Sequence, residues 1–176
     1  MIYYKNKHKM SIFFWKPHQN DGYLGNWYPS PFTVDSKRFL NSEHYFMWKK
    51  VMLFEPSREA EILVATDPKI MKDIGQSVKN YDDEVWSEKR YEIMKEALFH
   101  KFSQNPKLLD KLRWTGSAQL VEASPYDRIC GIGITAVEAL MDKPWRGQNL
   151  LGKALMETRT RMIAIHGSIF ILNDNN

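Results

Sequence analysis

Three carboxylates stand out for what their positions let them do. Glu43 lies in Asn41-Ser42-Glu43-His44-Tyr45-Phe46-Met47-Trp48-Lys49-Lys50, a run that places an acid, an imidazole, aromatics and two cations on one helix. In the first turn of that helix, backbone N–H groups and the macrodipole favour an ionised carboxylate. Helical spacing puts Glu43, Met47 and Lys50 on one face with Phe46 alongside, so Glu43 either pairs with Lys50 or shares a cleft with it. His44, one residue round, is either a structural histidine or a proton carrier working near neutrality. Glu122 and Asp127 form a second acidic pair across a Ser-Pro turn. Strand-end loops hold functional groups on a rigid scaffold, and an Asp in a turn serves equally by accepting backbone N–H bonds. Positioned side chains of these types perform general acid–base work.

The elements that position them read as follows. Ser11 to Trp15 forms a short strand, followed by a loop of turn formers from Pro17 to Gly25. Phe32-Thr33-Val34 and Arg38-Phe39-Leu40 flank Asp35-Ser36-Lys37 as a small hairpin. Asn41 or Ser42 caps the Glu43 helix, which Pro56 stops. Ser57 caps a helix to about Ala65, and Asp67-Pro68 opens another that ends near Gly75. The longest helical pattern runs from Asp83 to Phe102, with Trp86, Met94, Leu98 and Phe102 at helical spacing. A short helix covers Pro106 to Leu112. Ala118 to Glu122 reads as a strand and Ile129 to Ile134 as another, its Gly131 and Gly133 marking close packing or approach to a ligand. A helix from Asn149 to Ile165 closes the domain, and the tail after Leu172 frays. The expected fold class is α+β, mainly helical, with a small mixed or antiparallel sheet.

Composition narrows the partners. The 176 residues suit one domain with a sizeable core, and 13% aromatic content is that of a folded chain. Net charge is +4, with Lys5, Lys7, Lys9 and Lys16 preceding the first acid, Asp21. That attracts anionic ligands weakly and is not the dense basic stripe of a dedicated nucleic-acid binder. The one cysteine, Cys130, forms no internal disulfide, which points to a reducing compartment such as the cytoplasm. No CxxC or HxxxH spacing marks a metal site, so neither metal nor cofactor is expected. The apolar run near the start is too short and interrupted for a signal peptide or membrane span. Gly131-Ile132-Gly133 lacks the third glycine of a dinucleotide fingerprint. Arg146-Gly147-Gln148-Asn149 before the last helix is either a phosphate cradle or a polar cap.

Six segments in order carry a family resemblance: NWYPSPFTVDSKRF, SEHYFMWKKVMLF, IGQSVKNYDDEVW, ALFHKFSQNPKL, GSAQLVEASPYDRICGIG and WRGQNLLGKALMETR. Together they resemble the NADAR domain family, over about Ile12 to Ile165. The resemblance implies a compact α+β domain at 12–166, flanked by an N-terminal extension at 1–11 and a tail at 167–176. It implies an N-glycosidase, a hydrolase cutting between a ribosyl C1 and a base or amine nitrogen. Implied substrates are ADP-ribose on guanine in nucleic acid, which the wording of the segments favours, or early phosphorylated riboflavin intermediates. A non-catalytic ADP-ribose or NAD module is the reading from another class. No membrane and no obligate protein partner are implied.

Carried over by position, the family's functional glutamate falls on Glu43, its tryptophan on Trp86 and its second acid on Asp127. The bond cleavage passes through an oxocarbenium-like state that needs a carboxylate and a directed water. Glu43 is assigned that role, Asp127 or His44 the protonation of the leaving nitrogen, and Trp86 stacking on base or sugar. Asn26 is expected on ribose hydroxyls, and Lys50, Lys79, Arg146 and Asn149 on phosphate, with Glu122 at the substrate's edge. Two positions depart from the family pattern. Gln76 stands where many members have arginine, and Cys130 where many have tryptophan.

Overall fold

The computed structural model describes the backbone of residues 4–6 and 9–173, and the side chains of residues 10–165. Strand β1 (Tyr4–Asn6) pairs antiparallel with β2 (Lys9–Phe14), and β2 pairs parallel with β5 (Gln119–Glu122). The β2–β5 register aligns Ile12 with Leu120 and Phe14 with Glu122. A separate hairpin joins β3 (Phe32–Val34) to β4 (Lys37–Phe39). Its turn residues Asp35 and Ser36 adopt φ of 47° and 63°, the left-handed geometry of a tight hairpin turn. The sheet is therefore mixed, and helices supply most of the structure.

Helix α1 (Ser42–Phe54) is central. Asn41 caps it, its side chain accepting from His44 N–H at 2.9 Å, and Glu55 with Pro56 ends it. It packs against α2 (Glu59–Val64), α3 (Pro68–Gln76) and α4 (Asp83–Ser103). Contact on three sides buries Glu43, His44 and Lys50 along with its apolar residues, so α1 is a core helix rather than a surface one. Gly75 permits the α1–α3 contact, since a Cβ there would collide with Met47 Sδ. Helix α5 (Pro106–Trp114) follows α4, and α7 (Leu150–Asn173) lies across α4 and β5. Leu98, Phe102, Leu120, Leu151 and Leu155 fill the main core between them.

Several expectations need correcting. A single 3-10 turn, Pro56–Arg58, precedes α2, whose N-cap residue Arg58 makes no side-chain capping bond, so Ser57 caps nothing. Residues 129–134 form a curled loop, not a strand. Asp127 Oδ1 draws in the amides of Ile129 (2.8 Å) and Cys130 (2.7 Å), and Gly133 at φ 69° bends the chain further. The close-packing reading of Gly131 fits, because a Cβ there would stand 2.9 Å from the Glu122 carbonyl oxygen. Helix α6 (Ala136–Leu140) was not anticipated, although Thr135 and Glu138 form a complete capping box. Helix α7 continues to Asn173, beyond Ile165; the rest of the tail, and the side chains of Lys5, Lys7 and Lys9, lie outside the described residues.

Candidate active site

The parallel β2–β5 pair ends in two loops on the same edge, where an α/β sheet characteristically presents its ligand site. Trp15 to His18 leave β2, and Ala123 to Cys130 leave β5. Their junction is tied by the Ala123 N–H, which donates to the Phe14 carbonyl at 2.8 Å. The N-terminus of α1 and one side of α3 complete a cleft of about 440 Å³. Glu43, Glu122, Asp127 and Asn26 line it, as do Trp15, Trp27, Tyr126, Lys16, Lys72, Ser124 and Cys130.

Glu43 enters from α1. Its own N–H donates to the Asn26 carbonyl at 3.1 Å, which locks the Asn26–Trp27 loop onto the helix N-terminus. Burial pushes the Glu43 carboxyl up to about 7, with Asp127 adding to the rise. Lys72 and a hydrogen-bonding Trp27 side chain act the other way, favouring the anion. Glu122 is pushed higher, to about 8, by burial first and then by the negative charges of Asp127 and Glu43. Its Oε2 is buried without a protein partner, as is Oδ1 of Asn26. Near neutrality the cleft thus holds a Glu43 that is about half ionised beside a mostly protonated Glu122, one group able to accept a proton and one able to give it. No group of three or more His, Cys, Asp or Glu among the described residues is placed to hold a metal ion.

Of the residues expected at the site, the structure brings together Glu43, Asp127, Glu122 and Asn26. The others lie elsewhere. Trp86, in the first turn of α4, is 6% exposed between Phe46 (5.0 Å) and Phe54, outside the cleft lining. Lys50 sits over the rings of Tyr81 (4.2 Å) and Trp86 (5.4 Å), a buried cation held by aromatics. His44 is fully engaged: Nδ1 accepts from Leu40 N–H at 3.3 Å, and Nε2 lies 2.8 Å from the Ile62 carbonyl as its donor. Burial also pushes its pKa down, so it is a structural, neutral imidazole. Lys79 is exposed and pairs with Glu55 at 3.8 Å, and Arg146 is exposed away from the cleft. Asn149 uses its whole amide on β5, accepting from Glu122 N–H (3.0 Å) and donating to the Leu120 carbonyl (2.9 Å). It replaces a neighbouring strand instead of cradling phosphate.

Lys72, Trp15, Trp27 and Tyr126 were missed. Lys72 is one of two lysines on α3, with no local mark to set it apart from Lys69. Trp15 and Tyr126 meet at the mouth with centroids 5.9 Å apart and planes tilted by 49°, a pairing that only the β2–β5 alignment creates. Tyr126 is 87% exposed, so the cleft opens to solvent at that ring. Of the two departures from the family pattern, Cys130 lines the cleft, where burial and the nearby carboxylates hold its thiol in the neutral form. Gln76 is exposed at the end of α3, outside it.

Comparison with known proteins accords with this architecture. The NADAR domain model matches residues 13–163. N-glycosidase R617 of Acanthamoeba polyphaga mimivirus is 35% identical over 144 residues, covering 77% of this chain and 85% of the relative. Riboflavin biosynthesis protein VVA0006 of Vibrio vulnificus is 30% identical over 152 residues, 86% of this chain but 38% of that longer protein. N-glycosidase YbiA of Escherichia coli is 31% identical over 151 residues, covering 86% and 88% of the two chains. The solved NMR structure of YbiA superimposes with a TM-score of 0.74 over 88% of this chain and 86% of that one. The match begins at the end of β2, takes in all of β5 and every loop that builds the cleft, and this chain belongs to the NADAR domain family.

Proposed function

We propose that the cleft hydrolyses the N-glycosidic bond joining C1 of an ADP-ribosyl group to a guanine nitrogen in nucleic acid. The chain is an N-glycosidase hydrolase, as several of its curated relatives are named. The observation that carries the catalytic reading is the placement of two buried carboxyls, Glu43 and Glu122, in one cleft, Glu122 with an oxygen free of protein partners and both pushed up by burial. Ionised Glu43 accepts a proton from water as its oxygen bonds to C1. The C1–N bond breaks, its electron pair passes to nitrogen, and protonated Glu122 supplies the proton that nitrogen takes up. Products are ADP-ribose and unmodified guanine. Glu122 thereby takes the acid role expected of Asp127 or His44, since Asp127 Oδ1 accepts from two backbone amides and His44 is engaged outside the cleft.

The surrounding residues suit the remaining parts of such a substrate. Asn26, with its buried unpartnered Oδ1, accepts from ribose hydroxyls. Trp15 and Tyr126 offer faces to a flat base at a mouth open enough for that base to remain in a polymer. Lys16 and Lys72 supply positive charge for phosphate. The second reading, hydrolysis of a phosphoribosylamino-pyrimidine, is favoured by the similarity to the riboflavin biosynthesis protein VVA0006. Mass spectrometry of both substrates with the wild type decides between them: released ADP-ribose supports the first reading, and turnover of the pyrimidine alone supports the second.

A further inference from the structure

A second cavity, of about 610 Å³, abuts the first, and Trp15 and His18 line both. One wall is α6, whose Val137 and Leu140 are 66% and 38% exposed, apolar side chains that the fold itself leaves uncovered. Phe13 faces them from β2, and Asn20 and Asp21 form a polar rim. At the junction of the two cavities Lys16 Nζ stands 4.7 Å from the Trp15 ring centroid, beside His18.

We propose that this groove is a subsite for a second nucleobase, a purine joined through a diphosphate to the ribosyl group held in the catalytic cleft. A purine presents two apolar faces and an edge of amines and ring nitrogens. An apolar wall facing Phe13, with carboxyl and amide groups on one rim, matches that distribution. The diphosphate between the two halves carries the negative charge, and Lys16 with His18 occupies the junction it must cross. Continuity through Trp15 and His18 makes both cavities available to one ligand. A phosphoribosyl-pyrimidine has no second base and leaves the groove empty, so the groove confers preference for dinucleotide-shaped substrates. This inference rests on the ADP-ribosyl reading of the preceding section.

Calorimetric titration with two probes, ADP-ribose and ribose 5-phosphate, tests it on wild type, Val137→Glu and Leu140→Glu. Wild type binds ADP-ribose at least about 10-fold more tightly, and each variant, with a wild-type melting profile, shrinks that preference to about twofold or less. Equal affinities in the wild type, or a preference untouched by both variants, overturn the subsite. The substrate reading fails separately. If ADP-ribosylated guanine is not cleaved while the Val137-dependent preference persists, the subsite stands and that reading falls. If cleavage occurs with no preference, the subsite falls and the reading stands.

Discussion

The division of protons between Glu43 and Glu122 makes the pH dependence of turnover the most searching consequence of the site. The proposed mechanism requires Glu43 ionised and Glu122 protonated. Taking about 7 for Glu43 and about 8 for Glu122, the fraction in that state peaks at roughly 60% near about pH 7.5 and falls about 20-fold two units to either side. The two groups titrate in linked steps, because ionised Glu43 itself raises Glu122. The assay is kcat/KM against pH, with substrate release followed by mass spectrometry. Glu122→Gln removes the basic limb, keeps the acidic one and lowers the rate by about 10²–10⁴-fold, the usual range for losing a positioned acid. Lys72→Met shifts the acidic limb upward, since Lys72 helps hold Glu43 in its charged form. A profile flat from about pH 5.5 to 7.5 would place the working base in the ordinary carboxylate range and refute the assignment. So would an acidic limb that survives Glu43→Gln.

Other consequences follow from the same groups and their surroundings. Glu43 and Glu122 bind protons more tightly folded than unfolded, so their contribution to stability is full below about 4.5 and declines as pH rises through about 7 and 8. Denaturation midpoints should fall between about pH 5 and 7, and fall less steeply in Glu43→Gln; an equal slope would contradict this. Lys101 is fully buried, donates to the Gly25 carbonyl at 2.9 Å, and burial pushes its pKa down to about 7. Unfolded Lys101 therefore binds the extra proton, wild-type stability gains from it as pH rises above about 7, and Lys101→Met loses that gain in thermal melts at pH values on either side. Trp86→Ala costs about 3–5 kcal/mol of stability by opening the core around Phe46 and Phe54. Measured per folded molecule, its turnover changes far less than that of Glu43→Gln, and an equal loss would return Trp86 to the site.

Local chemistry made much of this fold legible. The β3–β4 hairpin follows from the polar turn Asp35-Ser36-Lys37 between Phe32-Thr33-Val34 and Arg38-Phe39-Leu40, α1 from its Asn41 cap and Pro56 stop, and α3 from Asp67-Pro68. The capping box at Thr135 and Glu138 was equally readable, but its helix has only five residues and little apolar periodicity. What local signals do not carry is the parallel pairing of β2 with β5, more than a hundred residues apart, and that pairing creates the cleft. Hence Glu43 and Glu122 were recognisable as acids while Trp15 and Lys72 were not recognisable as their neighbours. The same limit applies to Trp86, Lys50 and His44, which do not line the cleft. Types suited to catalysis occur there, but α1 buries them on sides turned away from the cleft, against Tyr81, Phe46 and the Ile62 carbonyl.

The central claim is that Glu43 drives hydrolysis of an ADP-ribosyl–guanine bond. Its most direct test compares wild type and Glu43→Gln, both verified as folded, on an ADP-ribosylated guanine oligonucleotide with ADP-ribose release read by mass spectrometry. The account predicts release by the wild type and a loss of about 10²–10⁴-fold in the variant. Undiminished release by Glu43→Gln, or none by the wild type, would contradict it.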